Sequence, residues 1–174
     1  MPPQGSEVAK SLQTALAIED QGLETYLKFA RQTKDLTGKN MFIRLAMDEH
    51  EHRRIIERQL RHALEGQPLV PVQIPTSEVE RIVPTIREKQ LKTRGEAGLA
   101  EVDALNTALD LERKAAAFFR QQAEGAGNAE ARAVFLRLAE WEDSHYDLIQ
   151  AELDHINRTG FWLGIPEFQM DGKY

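Results

Sequence analysis

Two Glu-x-x-His pairs stand out in this chain, Glu49–His52 and Glu142–His145. Each follows a further glutamate, Glu19 or Glu112, by 30 positions. On a helix, residues three apart lie one turn apart on the same face, so both side chains of a pair reach one site. Carboxylates with imidazoles suit iron or manganese, with zinc as a further occupant. There is no cysteine among the 174 residues. That removes disulfides, thiolate zinc sites and iron–sulfur or other cysteine-ligated iron centres from this chain, so any metal must be held by nitrogen and oxygen. Electrons for a redox reaction must come from elsewhere.

The two triads belong to an internal repeat with an offset of 93 residues and no gap. Leu16 matches Leu109, Glu19 matches Glu112 and Tyr26 matches Phe119. Phe42 matches Phe135, Leu45 matches Leu138, Glu49 matches Glu142, His52 matches His145 and Ile56 matches Ile149. A repeated supersecondary unit outweighs any single motif. Within each unit the polar residues interrupt apolar stripes that step by three and four: Leu12, Leu16, Glu19, Leu23, Tyr26; Phe42, Leu45, Glu49, His52, Ile56; Leu105, Leu109, Glu112, Ala116, Phe119; and Phe135, Leu138, Glu142, His145, Ile149. Such stepping faces one way on a helix. Four glutamates therefore point into a core, and burying an ionised carboxylate costs several kcal/mol even after relaxation. No Lys or Arg lies on the stripes to pair with them. Two divalent cations balance four carboxylates, with the imidazoles as neutral ligands.

The elements that position these residues are four helices, expected at about 7–35, 39–64, 99–124 and 129–157. Gly38 is expected to open the first turn, Gly66 to cap the second helix and Asn128 to cap the fourth. Short connections make two antiparallel αα-hairpins, joined by a long crossover over about 66–98. Its stretch SEVERIVPTIREKQL is amphipathic and expected to form a short helix broken near Pro84. The expected fold class is all-α, a single-domain antiparallel four-helix bundle. The aromatic tail, about 159–174, is expected to pack on the bundle or on a second copy of the chain.

Composition narrows the function classes. Apolar residues make up 41% and charged residues 29%, and the net charge of −6 comes without a basic stripe, which argues against nucleic acid as a partner. No apolar run is long enough for a membrane span and the N-terminus lacks a secretory pattern, so a cytoplasmic protein is expected.

The segments AIEDQGLETYLKFA, FIRLAMDEHEH, ALDLERKAAAFF and FLRLAEWEDSHYDLI resemble those of ferritin-like diiron proteins, specifically the rubrerythrin-type branch. The resemblance extends over about residues 7–158, and the GFW tail is similar too. It implies a ferritin-like bundle in which Glu19, Glu49, His52, Glu112, Glu142 and His145 bind two iron ions, with manganese or zinc as substitutes. It further implies reaction with hydrogen peroxide or dioxygen, an external electron donor protein, and, in some members, oxidation of ferrous iron. The chain departs from the branch in two ways. It lacks a cysteine-ligated rubredoxin domain, and Ala115 and Ala116 stand where rubrerythrins usually place a further carboxylate. Six ligands look more like a bacterioferritin site.

Three functions follow as expectations: a diiron peroxide or dioxygen oxidoreductase first, then a ferroxidase or iron-handling protein, then a metal-stabilised binding protein. A homodimer is expected. Tyr26 has two equal readings, a hydroxyl reaching a ligand carboxylate or a core aromatic like its counterpart Phe119. Trp141 and Tyr146 are expected to pack, His50 to face solvent, and His62 and His155 to interact with helix C-terminal dipoles.

Overall fold

The structure, a computed structural model, describes residues 4–69 and 93–164. Four long helices dominate it: α1 (Gln4–Gln32), α2 (Leu36–Leu64), α3 (Leu99–Gly125) and α4 (Ala129–Thr159). α1 packs along α2 and α3 along α4, giving an all-α four-helix bundle built from two hairpins. No helix among the described residues is long and apolar enough to cross a membrane. The proposed helix near Pro84 lies outside the described residues, as does the end of the tail from residue 165.

The first hairpin turn differs from the sequence expectation. α1 stops at Gln32, and Asp35, which had been placed inside it, caps α2 instead. Its Oδ1 accepts from the backbone N–H groups of Thr37 (2.8 Å) and Gly38 (3.1 Å). Asn128, at the equivalent position of the repeat, caps α4 by accepting from Ala131 N–H at 2.7 Å. An Asp or Asn here satisfies amide groups that have no partner within the helix. Gly38 therefore sits inside the first turn of α2 and not in a loop. Its lack of a side chain serves a close contact, since a Cβ there would lie 2.5 Å from the Trp162 indole.

Trp162 belongs to an element that periodicity did not reveal. β1 (Thr93–Glu96) and β2 (Phe161–Leu163) pair antiparallel, Thr93 opposite Leu163 and Arg94 opposite Trp162, with an irregularity between Arg94 and Glu96. Strands of four and three residues are too short for alternation to register. Gly160, in the left-handed region at φ 78°, ends α4 and turns the chain back into β2. The ribbon straps the end of the crossover to the tail and seats the buried Trp162 against Phe42, ring centroids 6.2 Å apart and edge-on.

The bundle interior falls into two apolar clusters. One holds Tyr26, Phe29, Phe42, Leu45, Leu105, Ile149 and Trp162; the other holds Leu12, Ile56, Phe119, Phe135 and Leu138. Along every helix, the residues separating the two clusters are the glutamates and histidines of the sequence stripes.

Two buried carboxyls lie outside that layer, Glu101 near the start of α3 and Glu152 on α4. Glu152 on α4 is fully buried, and its Oε2 accepts from Leu163 N–H at 2.9 Å, tying β2 to the helix. Burial raises its pKa to about 8; the Leu163 N–H opposes that shift and the Asp35 charge adds to it. Between the ordinary value of 4.5 and about 8, the folded chain holds a proton that the unfolded chain has released, so Glu152 costs stability as pH rises through that window. The repeat places Gln59, also fully buried, at the equivalent position. Glu152→Gln keeps the acceptor and removes the ionisation. Its stability gain over the wild type should be small at pH 5 and largest near pH 8, as read by chemical denaturation at both values.

Candidate metal centre

All six sequence-predicted ligands converge in the layer between the apolar clusters. Glu19 comes from α1, Glu49 and His52 from α2, Glu112 from α3, and Glu142 and His145 from α4, each almost completely buried. Their donor atoms form two overlapping groups, each with its atoms within 4.8 Å of one another: Glu19, Glu49, His52 and Glu142, and Glu49, Glu112, Glu142 and His145. Glu49 and Glu142 belong to both, as carboxylates bridging two ions would.

Both imidazoles aim Nδ1 inward. His52 Nδ1 lies 3.2 Å from Glu19 Oε2, 3.3 Å from Glu49 Oε2 and 3.2 Å from Glu142 Oε1. His145 Nδ1 lies 3.3 Å from Glu49 Oε1 and 3.5 Å from Glu112 Oε1. Proximity is not the same as pairing here. Glu19 Oε1, Glu142 Oε1 and His145 Nδ1 are buried without hydrogen-bond geometry to any partner. Buried polar atoms are normally satisfied, and a cluster of unsatisfied ones facing each other fits a cation. The donor set fits a pair of divalent ions in number, charge and chemistry.

The electrostatics agree. Burial, then the Glu49 charge, pushes the Glu19 carboxyl well above its ordinary range. Burial and the charges of Glu49, Glu19 and Glu112 do the same to Glu142. Burial opposes the charge of Glu49 too, but the neighbouring Glu19 carboxyl and the two imidazoles close to it outweigh burial and hold Glu49 well below the ordinary value. Burial likewise disfavours the cationic form of both histidines, yet the facing carboxylates raise His52 and raise His145 further. The directions of these shifts show a layer that favours added positive charge.

Tyr26 takes both of its sequence readings at once. Its ring lies in the apolar cluster and its hydroxyl donates to Glu112 Oε1. Burial, then the Glu112 charge, pushes its pKa well above that of a free phenol, so it stays a donor. Trp141 does more than pack: its indole stacks on His52, ring centroids 3.9 Å apart and 21° from parallel. Asp48, which the stripe argument passed over, lies with Oδ2 3.4 Å from His145 Nε2. The repeat itself carried the signal for both, because residues 48 and 141 are equivalent and each precedes a ligand glutamate. His50 is exposed, as are Glu24, Glu51 and Glu140. His155 differs from expectation: it is buried, and burial followed by the Arg158 charge lowers its pKa, which disfavours the cation that a helix dipole prefers.

A cavity of about 290 Å³ reaches the layer between α1 and α3, with Glu19, Gly22, Tyr26, Glu49, Glu112 and Ala115 among its walls. Gly22 and Ala115 are repeat equivalents, and both are small. A Cβ at position 22 would stand 3.2 Å from Glu49 Cδ, so glycine leaves the Glu49 carboxylate its room. Ala115 is one of the two residues standing where rubrerythrins usually place a further carboxylate, and part of that space is open.

Residues 10–153 match the rubrerythrin family. The chain belongs to that family. Neither a curated protein nor a solved structure matches it. As in a rubrerythrin-type ferritin-like domain, its buried Glu/His cluster suits metal binding, and no cysteine contributes to it. For this rubrerythrin-family chain, metal loading should release protons, because the raised Glu19, Glu142, His52 and His145 must give theirs up. Titration calorimetry with Zn²⁺ in two buffers of different ionisation enthalpy should show net proton release at neutral pH and weaker binding as pH falls.

Proposed function

We propose that this chain is a non-haem diiron oxidoreductase that reduces hydrogen peroxide or dioxygen with electrons from an external donor protein. The observation that carries this reading is the pair of overlapping four-donor groups sharing Glu49 and Glu142, with a cavity leading to them. When bound, two ferrous ions would supply the two electrons that, with two protons, reduce one hydrogen peroxide to two waters.

The residues divide the remaining work. Glu19 and His52 would hold one ion and Glu112 and His145 the other, with Glu49 and Glu142 available to both. The apolar clusters above and below keep bulk water out of the layer, which strengthens every electrostatic interaction within it. Gly22 and Ala115 leave the oxidant a path, and the Tyr26 hydroxyl keeps a proton beside Glu112. On the outer face of α2, Leu36, Ile43 and Met47 are exposed at helical spacing, which supports pairing with a second copy of the chain.

The open space at Ala115 also favours a second reading, oxidation of ferrous iron that then leaves through the cavity. Iron analysis separates the two. The oxidoreductase should retain about two irons per chain after oxidation, whereas an iron-handling protein accumulates or sheds them.

The direct test is anaerobic loading with ferrous iron followed by peroxide, with optical spectra recorded over time. Rapid oxidation, and turnover once a reductase is supplied, supports the reading; inertness to both peroxide and dioxygen refutes it. Tyr26→Phe keeps the ring in the core and removes the proton. It should leave iron stoichiometry unchanged and slow peroxide turnover by about a hundredfold. Ala115→Phe fills the cavity and should slow oxidation while iron stays bound.

A further inference from the structure

The 93-residue repeat makes the two halves of the centre equivalent in every ligand, but not in what stands behind the histidines. Residues 48 and 141 occupy the same place in the two hairpins, each immediately before a shared glutamate. Across the bundle each meets the histidine of the other hairpin. At one end an aspartate meets His145, with Oδ2 3.4 Å from Nε2. At the other a tryptophan meets His52, its indole stacked at 3.9 Å and covered on its ring by the Arg137 guanidinium at 5.4 Å.

Each imidazole presents Nδ1 to the carboxylates, so an ion takes Nδ1 and the ring proton must reside on Nε2. For His145 that N–H donates to Asp48. Such a carboxylate behind a ligand imidazole fixes the tautomer and makes the ligand nitrogen a better donor. For His52, Nε2 is buried and has no hydrogen-bond partner among the described residues. Trp141 holds the ring in place by stacking but offers it no acceptor, because an indole N–H only donates.

Resting on the diiron reading above, we propose that the two metal positions are unequal by construction. The His145 position, with Glu49, Glu112 and Glu142, holds its ion tightly. The His52 position, with Glu19, Glu49 and Glu142, holds the exchangeable one. Asp48 and Trp141 are the positioning residues that set the difference, and neither touches the metal.

The experiment follows the rings themselves. The chain has five histidines, so ring-¹⁵N-labelled protein gives few enough signals to assign, and Zn²⁺, which is redox-silent, can be titrated in. His145 Nδ1 should reach its bound shift at the first equivalent and His52 Nδ1 at the second. His50 should stay unmoved as an internal control. Asp48→Ala should weaken the first step by about 10–100-fold, closing the gap between the two, and leave the second where it was. Trp141→Asp, which copies the repeat partner, should tighten the second step. If that variant does not fold, Asp48→Ala decides alone. The inference is overturned if the two rings saturate together, if His52 leads, or if Asp48→Ala leaves the gap unchanged. If Zn²⁺ moves neither ring, the metal reading falls first and takes this inference with it. A wild type that binds two ions at one affinity leaves that reading intact and refutes only the inequality.

Discussion

Four glutamates buried in one layer are the constraint from which the rest of this structure follows. Glu19, Glu49, Glu112 and Glu142 each have 2% exposure or less, and apolar clusters close the layer on both sides. Solvent can approach them only through the cavity between α1 and α3, so most of the compensation must come from protons or cations. The shifts within the layer show the same demand: two carboxyls are pushed up, one is held down, and both imidazoles are raised. A group of four buried acids with only two imidazoles and no Lys or Arg among them stabilises nothing by itself. It persists because the long helices, capped at Asp35 and Asn128 and packed over most of their length, supply the stability that the layer takes away.

The repeat explains how one chain arrives at such a layer, and its departures carry the specific chemistry. A perfect duplication would make two identical half-sites around a pseudo-twofold axis. Here the ligands obey the duplication while their neighbours do not. Asp48 corresponds to Trp141, Gly22 to Ala115, Tyr26 to Phe119 and Gln59 to Glu152. Three of these four pairs touch the centre or its cavity. The fourth, Gln59 and Glu152, involves the anchoring of β2. Symmetry was retained where charge balance required it and broken where the two ends have different neighbours.

Much of this was legible in the sequence. The stripes fixed which way each helix faces, so the convergence of six residues from four helices needed no structure to foresee. Local cues failed where the cause lies far away in the chain. Gly38 reads as a turn glycine because nothing nearby explains a glycine inside a helix; its reason is Trp162, at the other end of the sequence. The β1–β2 ribbon left no periodic trace, since each strand gains its pairing only from the other. Glu152 continues the inward stripe of α4, three residues after Ile149 and four before Ile156, but its partner, the Leu163 N–H of the returning β2, leaves no local sign. Asp48 and Trp141 were visible as a mismatch within the repeat, but a mismatch has no meaning until the bundle sets each against the opposite histidine.

The ribbon also bears on the centre, although it lies outside the ligand layer. Trp162 packs edge-on against Phe42, Phe42 stacks on Tyr26 with centroids 6.3 Å apart, and Tyr26 donates to Glu112. Each contact in this series is fully buried, and close-packed interiors transmit displacement instead of absorbing it. The register of β2 therefore helps set where the Tyr26 hydroxyl stands. Gly38 is part of the same geometry: a methyl group there would push the indole outward and loosen the series at its far end. The start of the tail, the least periodic part of the sequence, is in this way joined by packing through Trp162 to the Glu112 carboxylate.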